Sequence, residues 1–319
     1  MKKSFLFIII IFTSLFLLIS CKNNDLIQTE DAKVNIVTSI FSAYDWAKEI
    51  SKGTSVSITN LTDNGVNLHN YEPTPDDISK IIHSDLFVYV GSHSDKWVKN
   101  ILKDNLNLNS ISLTKVLENN LLKEEIKEGM EDPDACPCGE DHHKGHKDEH
   151  VWLSLRNAKI ACEEIANFLK QINPDDSDIY DKNLKEYLGK LDELDKTYSE
   201  KFKSSKTKTL VFGDRFPFRY LLNDYSIDYY AAFFGCSAES EASFETIKFL
   251  INKIDELHLN YIYSLSDSDQ KVVNTIKNNS KNSLNVLQMN SLETVSSKDN
   301  KSYLDIMQEN LDAMLKGLN

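Results

Sequence analysis

The richest set of potential metal ligands lies in the stretch Cys136–Trp152, which reads CPCGEDHHKGHKDEHVW. It contains two of the five cysteines and four of the eight histidines. Thiolate and imidazole groups are ligands that zinc prefers in proteins. The first part of the stretch has no apolar periodicity, which predicts a loop, whereas the sequence turns apolar directly after His150. We therefore expect His150 to lie where a loop meets the packed core.

The first part of this stretch holds side chains that favour an accessory role over a fixed site. We expect a loop over residues 132–149 that collects cations and passes them to a separate site. The alternative is a solvated insertion with no role in affinity, and the two cysteines could also be oxidised or chelate a metal as a pair. The accessory ligands predicted in this way are Cys136, Cys138, His142, His143 and His146.

The N-terminus predicts export and a lipid anchor. Two lysines precede the apolar run Phe5–Ile19, which is shorter than the ~20 residues of a membrane-spanning helix and ends in Leu18-Ile19-Ser20-Cys21. This pattern is typical of a lipoprotein signal, and it is less typical of a single membrane anchor. We predict a signal peptide over residues 1–20, lipidation of Cys21, and a tether over residues 21–33 to the extracytoplasmic face of the cell membrane.

The charge balance excludes one class of partner. The chain carries 36 basic and 49 acidic side chains, a net charge of −13. Nucleic-acid binding requires a basic face, so we expect no nucleic-acid partner. The acidic balance is compatible with cation capture. Cys162 and Cys236 have no framework spacing with the other cysteines and are predicted to be small core residues.

The first half of the chain alternates strands and helices over short loops, which predicts a mostly parallel sheet in an α/β fold. Thr74, Pro75 and Asp77 form a strong helix start, with an N-cap, a proline at the first helical position and an acidic first turn. The predicted strands are 34–38, 55–60, 86–90 and 111–113, and the clearest predicted helices are 43–50 and 155–171.

The second half repeats this architecture after a long charged helix over about 176–203. We expect two Rossmann-like lobes, an N-terminal one over residues 34–173 and a C-terminal one over 207–319, joined by a linker helix within 174–206. The predicted strands of the second lobe are 209–212, 228–231, 261–265 and 284–288, and its predicted helices are 244–257, 270–278 and 303–315.

Ligands of open α/β sheets bind at the carboxyl ends of the strands, and a cleft between two lobes is a favoured place. Four polar residues follow predicted strands at such positions. Two imidazoles and two carboxylates form a plausible ligand shell for zinc or manganese. The predicted metal ligands are His69, His150, Asp214 and Glu293.

Each candidate has a structural alternative. Asp214 is flanked by Arg215 and Arg219, so an ion pair is at least as good an interpretation as metal binding. Composition alone favours a metal-ligand role for His69 no more than a structural one, and Glu293 could simply face solvent. The remaining histidines outside the loop are interpreted as ordinary surface residues, namely His83, His93 and His258.

Longer motifs resemble the zinc and manganese substrate-binding lipoproteins of ABC transporters, the group of ZnuA- and AdcA-type proteins. Leu68–Asp77, LHNYEPTPDD, is similar to that family's first ligand motif, and Asp148–Ser154 is similar to the second. Asn290–Val295, followed by the helix from Tyr303, is similar to members whose glutamate is the fourth ligand. The resemblance implies that His69, His150 and Glu293 bind the cation and that residues 136–146 form the family's His-rich loop.

The sequence departs from the family at the third ligand. Gly213 stands where zinc-type members have histidine and manganese-type members have glutamate. Asp214 is adjacent and could substitute, while the glycine could equally leave the position to water or to a loop histidine. Glu239 and Glu241 are nearby acidic alternatives, although Glu241 is better interpreted as a charge near the start of the next helix.

The resemblance implies an extracytoplasmic, monomeric lipoprotein that binds zinc, lacks enzymatic activity and delivers the cation to an ABC transporter permease. Manganese or iron is the alternative cargo. Two rival classes stay open: a surface metallohydrolase, which the absence of HExxH disfavours, and an adhesin that functions in cell adhesion with the same fold. A single rigid linker helix predicts small lobe movements during release.

Overall fold

The computed structural model describes residues 33–131, 146–235 and 241–319. The predicted signal peptide, Cys21 and nearly all of the predicted tether lie outside these residues. Within the part described, no helix combines the length and apolarity that crossing a membrane requires. Two four-stranded sheets, with every neighbouring pair of strands parallel, form the two lobes of an α/β fold and confirm the predicted fold class.

The first sheet has the strand order β2-β1-β3-β4. Both of its faces are covered: Leu86 and Val88 belong to the main core, while Phe87 packs with Val37 and Ile81 in a separate cluster. This double coverage explains the continuously apolar third strand, as is usual for parallel sheets. The strands are β1 Val34–Thr38, β2 Val56–Asn60, β3 Leu86–Tyr89 and β4 Ser110–Ser112.

The helices of the first lobe follow the predicted signals closely. The helix that begins at Pro75 has the predicted N-cap, with reciprocal bonds between Thr74 and Asp77 that form a capping box. A helix over Val98–Asp104 was not predicted from the sequence. The helices are α1 Phe41–Ile50, α2 Pro75–Ile82, α3 Val98–Asp104, α4 Leu113–Val116 and α5 Leu155–Ile172.

The second sheet repeats the order of the first as β6-β5-β7-β8. Its first two strands run further than predicted: β6 continues through the apolar Ala232, Phe233 and Phe234, whereas β5 continues through Gly213, Asp214 and Arg215 to Phe216. The strands are β5 Thr209–Phe216, β6 Asp228–Phe234, β7 Tyr261–Leu265 and β8 Asn285–Met289. After the long helix α6 Ser177–Lys203, the helices are α7 Arg219–Asp224, α8 Phe244–Glu256, α9 Lys271–Asn279 and α10 Tyr303–Leu318.

The long helix α6 lies between the two sheets in sequence and contributes to the core that both lobes share. Its 27 residues correspond to about 40 Å. Tyr198 is fully buried, and its hydroxyl donates to the Met307 carbonyl of α10 at 2.5 Å. The buried face consists of Tyr180, Tyr187, Leu191, Leu194, Tyr198 and Phe202. The opposite charged face is solvated, which explains the amphipathic pattern.

A buried carboxylate, Asp45, joins α1 to α10. Asp45 is 4% exposed, and its Oδ2 accepts the backbone N–H of Tyr303 at 2.9 Å. Burial raises the pKa of Asp45 to about 6, and the Tyr303 hydrogen bond only partly offsets this effect. The folded protein therefore keeps this proton over a pH range in which the unfolded chain has lost it, so stability falls as the pH rises from about 4 to about 6.

Asp45→Asn is expected to stabilise the protein above that range. An uncharged amide removes the cost of a buried charge, and we expect the free energy of unfolding to rise by about 1–2 kcal/mol at about pH 7.5. Denaturant unfolding of both proteins at about pH 4 and about pH 7.5 measures the effect. The gain should vanish at the lower pH, and a variant less stable than wild type at the higher pH would contradict the assignment.

Candidate metal centre

His69 is held by contacts to one ring nitrogen. It lies in a 3₁₀ turn, Leu68–Asn70, that follows β2, and Asn67 Oδ1 accepts its backbone N–H at 2.9 Å. Its Nδ1 lies 2.7 Å from Ser94 Oγ and 3.1 Å from Glu149 Oε1. These contacts fix the ring orientation and leave Nε2 as the atom that can bind a cation.

His150 has the same arrangement and is fully buried. Asp148 Oδ1 lies 2.9 Å from the His150 backbone N and 3.0 Å from Nδ1. A 3₁₀ turn, Val151–Leu153, follows directly and leads into α5, whose N-cap is Ser154. The boundary between loop and core therefore lies where the sequence predicted it, and Nε2 of His150 is again the nitrogen left for a cation.

Glu293 faces both imidazoles. Its side chain is fully buried, and Oε1 lies 2.8 Å from His69 Nε2 and 3.3 Å from His150 Nε2. The second oxygen, Oε2, accepts from Ser291 Oγ at 2.8 Å and from Asn67 Nδ2 at 3.3 Å. One oxygen of Glu293 is thus occupied by hydrogen bonds while the other points at the two ring nitrogens.

The two ring nitrogens and the Glu293 oxygen that face one another are better suited to binding a divalent cation than to bonding with one another. His69 Nε2, His150 Nε2 and Glu293 Oε1 are buried, and none has a hydrogen bond of acceptable geometry among the described residues. Buried polar atoms without such bonds are rare and call for a partner. Two imidazole nitrogens and a carboxylate oxygen are a common donor set for zinc, and the oxygen also suits manganese.

Glu149 was not predicted as part of the site. A donor group formed by His69, Glu149 and His150 has ligand atoms within 4.8 Å of one another. Glu149 Oε1, however, accepts from Ser94 Oγ at 2.5 Å and contacts Nδ1 of His69, on the far side of the ring from Nε2. We therefore assign Glu149 to orienting His69. The sequence feature that could have indicated this role is the acidic pair Asp148-Glu149 directly before the candidate ligand His150.

Without a cation, protons replace it on the imidazoles. Burial lowers the pKa of His69, but Glu293 and Glu149 outweigh burial and raise it to about 9. Asp148 and Glu293 likewise overcome burial and raise the pKa of His150 to about 10. Burial opposes ionisation of Glu293, yet His69 and Arg215 hold the pKa of that carboxyl well below its usual range. The carboxylate is therefore charged at neutral pH.

Cation binding should release protons. A histidine binds metal only as a neutral imidazole, so protons would compete with a cation at every pH below the raised pKa values of His69 and His150, and affinity should increase with pH. We expect the zinc Kd to fall at least about tenfold per pH unit between about pH 6 and about pH 8. Calorimetry in two buffers of different ionisation enthalpy counts the protons. An affinity that does not change with pH would argue against imidazole ligands.

Gly213 and Asp214 occupy a tight position in β5, where a bulge separates Phe212 from Arg215 in the pairing with β6. A Cβ on Gly213 would lie 2.7 Å from Val273 Cγ2, so a side chain there would require Val273 to move. Asp214 Oδ1 accepts the Arg215 N–H at 2.9 Å, and Oδ2 accepts the Leu265 N–H at 3.1 Å. The structure does not group Asp214 with the two histidines, and its ligand role stays a prediction.

The arginines beside Asp214 contact other carboxylates. Arg215 Nη2 lies 2.9 Å from Glu293 Oε2 and 3.5 Å from Asp267 Oδ2. Arg219 pairs with Glu125. The alternative interpretation of Asp214 was an ion pair with one of these arginines. Among the contacts of the described residues, neither arginine forms that ion pair. From the sequence, Arg215 is only a neighbour of Asp214. In the structure it contacts Glu293 and so belongs to the candidate metal centre.

The other predicted residues lie apart from this cluster or beyond the described ranges. Cys136, Cys138, His142 and His143 lie outside the described residues, as do Glu239 and Cys236. His146 is described and exposed, and Glu241 is exposed just before α8. Cys162 is fully buried, as predicted. His93, interpreted as a surface residue, is exposed but lines the cavity beside His69.

A cavity of about 1230 Å³ opens onto the cluster. Residues of both lobes line it, with His69 and Glu149 on one side and Asp214 and Arg215 on the other. The lining also includes Glu72, Asp267 and Asp269, so that its carboxylates outnumber the basic Lys96 and Arg215. This charge distribution favours a cation over an anion as the occupant.

Comparison with known proteins supports a metal-binding role. AdcA, a zinc-binding lipoprotein of Streptococcus pneumoniae (strain ATCC BAA-255 / R6), is 31% identical over 93% of this chain, which spans only 58% of that relative's length. The manganese ABC transporter substrate-binding lipoprotein PsaA of Streptococcus anginosus is 27% identical over 98% of this chain and 97% of its own. The crystal structure of the Zn(II)-bound ZnuA-like domain of Streptococcus pneumoniae AdcA superposes with a TM-score of 0.70 and 27% identity, covering 89% of this chain and 98% of that domain.

The family match extends over both lobes. The ZnuA family, described as the periplasmic component A of the zinc-uptake complex, matches residues 36–317. That range contains all of both sheets except the first two residues of β1, and it contains His69, His150 and Glu293. The chain therefore belongs to the ZnuA family of metal substrate-binding proteins.

Proposed function

We propose that this protein captures a divalent cation, with zinc as the preferred cargo, and delivers it to the membrane permease of an ABC transporter. The observation that carries the proposal is the convergence of His69 Nε2, His150 Nε2 and Glu293 Oε1, which have short mutual distances and no hydrogen bonds of acceptable geometry among the described residues. The similarity to a zinc-binding lipoprotein and to a Zn(II)-bound domain supports zinc. His69, His150 and Glu293 are the proposed ligands.

The proposed setting is the outer face of the cell membrane. Cys21 would carry the lipid anchor, and the protein would act as a monomer with the cation in the cleft between a lobe over 34–173 and a lobe over 207–319. The relatives AdcA and PsaA are both named lipoproteins, which supports this location. A binding protein rather than an enzyme is the role that the family membership supports.

Manganese is the alternative cargo, and a specific observation favours it. Glu293 supplies a hard oxygen donor between the histidines, and the relative PsaA is named for manganese. Zinc remains first because two of the three facing donors are imidazole nitrogens and because the usual affinity order places zinc above manganese.

Competitive titration decides between the two metals. Delipidated protein, stripped of metal, is titrated with zinc and with manganese against a chromophoric chelator. We expect zinc to bind at least about a hundredfold more tightly than manganese, as the general affinity order predicts. Manganese that binds as tightly as zinc would overturn the choice of zinc, and no tight binding of either metal would overturn the proposed function.

A further inference from the structure

Arg215 places a permanent positive charge beside the proposed ligands. Its side chain is 14% exposed, and Nη2 bridges Glu293 Oε2 at 2.9 Å and Asp267 Oδ2 at 3.5 Å. A guanidinium does not lose its proton in a protein. Because the other oxygen of Glu293 faces the two histidines, a single carboxylate separates this charge from the position that a bound cation would take.

We propose that Arg215 is a resident cation that sets the metal affinity of the site. It neutralises Glu293 when no metal is bound, and a bound metal repels it towards Asp267. The inference rests on the proposed cation-binding function and adds a residue that lowers affinity, so that the site can release its cargo.

The repulsion is effective because the site is buried. Glu293 is 3% exposed, so water screens charges around it less than at the surface. A divalent cation and a guanidinium on opposite oxygens of one carboxylate share its single negative charge. Metal binding therefore weakens the ion pair between Arg215 and Glu293, and that ion pair in turn weakens metal binding.

Asp267 provides a second acceptor for the displaced guanidinium. Its carboxylate is 24% exposed, lines the same cavity and already lies 3.5 Å from Arg215 Nη2. Asp214 is less suited, because both of its oxygens accept backbone N–H groups. A small side-chain rotation, without movement of β5, would transfer Arg215 from the bridging position to Asp267 alone.

An anionic co-ligand is a weaker explanation for the arginine. Glu72, Asp214, Asp267 and Asp269 line the cavity on which Arg215 borders, and their carboxylates would repel an anion. Arg215 is instead flanked by two carboxylates of the protein, which are sufficient partners for a guanidinium.

Charge removal at position 215 tests the proposal directly. We expect Arg215→Met to bind zinc at least about tenfold more tightly than wild type and to release it more slowly, as measured by competitive titration and stopped-flow chelation. Arg215→Lys keeps the charge without the planar guanidinium, so its zinc affinity should lie closer to that of wild type than to that of Arg215→Met. Arg215→Gln is a second neutral variant that keeps a polar side chain, and melting curves establish that each variant is folded.

The matched control removes an arginine elsewhere. Arg156 is half-exposed and pairs with Asp195 at 3.4 Å, away from the cavity lining. Arg156→Met changes the net charge by the same amount and should leave zinc affinity within about twofold, because Arg156 is half-exposed and does not line the cavity, so its charge is screened by solvent.

Asp267 supplies a test in the opposite direction. Asp267→Asn removes the second acceptor and should weaken zinc binding in wild type, but it should have little effect in the Arg215→Met background. An equal loss of zinc affinity in both backgrounds would mean that Asp267 acts on the cation directly. That result would overturn the proposed transfer of Arg215 from Glu293 to Asp267. Unchanged or weaker zinc binding by both neutral Arg215 variants would overturn the affinity-setting role, whereas failure of wild type to bind zinc would instead refute the proposed function.

Discussion

His150→Ala is expected to abolish tight zinc binding. The substitution removes one of the three facing donors, and His150 is fully buried, so no solvent-exposed side chain can replace it without rearrangement. We expect the zinc Kd to rise at least about a thousandfold, which corresponds to about 4 kcal/mol. Competitive titration against a chelator of known affinity measures the loss at a pH where wild type binds tightly.

The control for this variant is a histidine with an ordinary surface role. His83 ends α2 and is exposed, with Nδ1 2.7 Å from the Ser79 carbonyl oxygen. His83→Ala should leave zinc affinity within about twofold of wild type. If the folded His150→Ala protein kept wild-type affinity, the cluster of His69, His150 and Glu293 would not be the zinc site.

The apolar sequence was enough to place the inner strands β1, β3 and β7, because most of their side chains are buried. Leu86–Tyr89 is apolar without interruption, and the structure covers both sides of that strand. The helix at Val98–Asp104 was harder to predict. Only Val98 and Ile101 of this short helix are buried, and it lacks a side-chain cap, so neither periodicity nor a start signal identifies it.

The two histidines of the cluster could be predicted as candidates, whereas the groups that orient them could not. His69 and His150 stand in recognisable motifs after strands, but the role of Glu149 depends on contacts with Ser94 and His69, which lie 55 and 80 residues earlier along the chain by residue number. Arg215 was missed for the same reason. Its neighbour in sequence is Asp214, yet its partners Glu293 and Asp267 come from the ends of other strands.

Tertiary contacts also bear on how the site can open. Trp152 Nε1 donates to the Ser291 carbonyl at 2.9 Å, and the Tyr303 hydroxyl donates to the Trp152 carbonyl at 2.8 Å. The segment that carries His150 is thereby bonded to the loop that carries Glu293 and to the start of α10. Wide separation of these two proposed ligands would break buried hydrogen bonds, which favours release through small loop movements over opening of the whole cleft.

Asp214→Ala is expected to destabilise the fold more than it weakens zinc binding. β5 and β7 pair directly only between Phe212 and Tyr263, and the Asp214 carboxylate continues the connection by accepting the Leu265 N–H. Alanine leaves the N–H groups of Arg215 and Leu265 without that acceptor. We expect the free energy of unfolding to fall by about 3 kcal/mol, measured by denaturant unfolding of the metal-free protein.

Zinc affinity of the folded variant separates the two possible roles of Asp214. Asp269→Ala is the matched control, because Asp269 lines the same cavity and its side chain is 46% exposed. It loses one hydrogen bond, to the Lys271 N–H at the start of α9, and should cost about 1 kcal/mol. If Asp214 holds β5 to β7, its variant should lose less than about tenfold in zinc affinity, or about 1.4 kcal/mol. A stable Asp214→Ala protein that loses more than this would support Asp214 as the additional ligand predicted from the sequence.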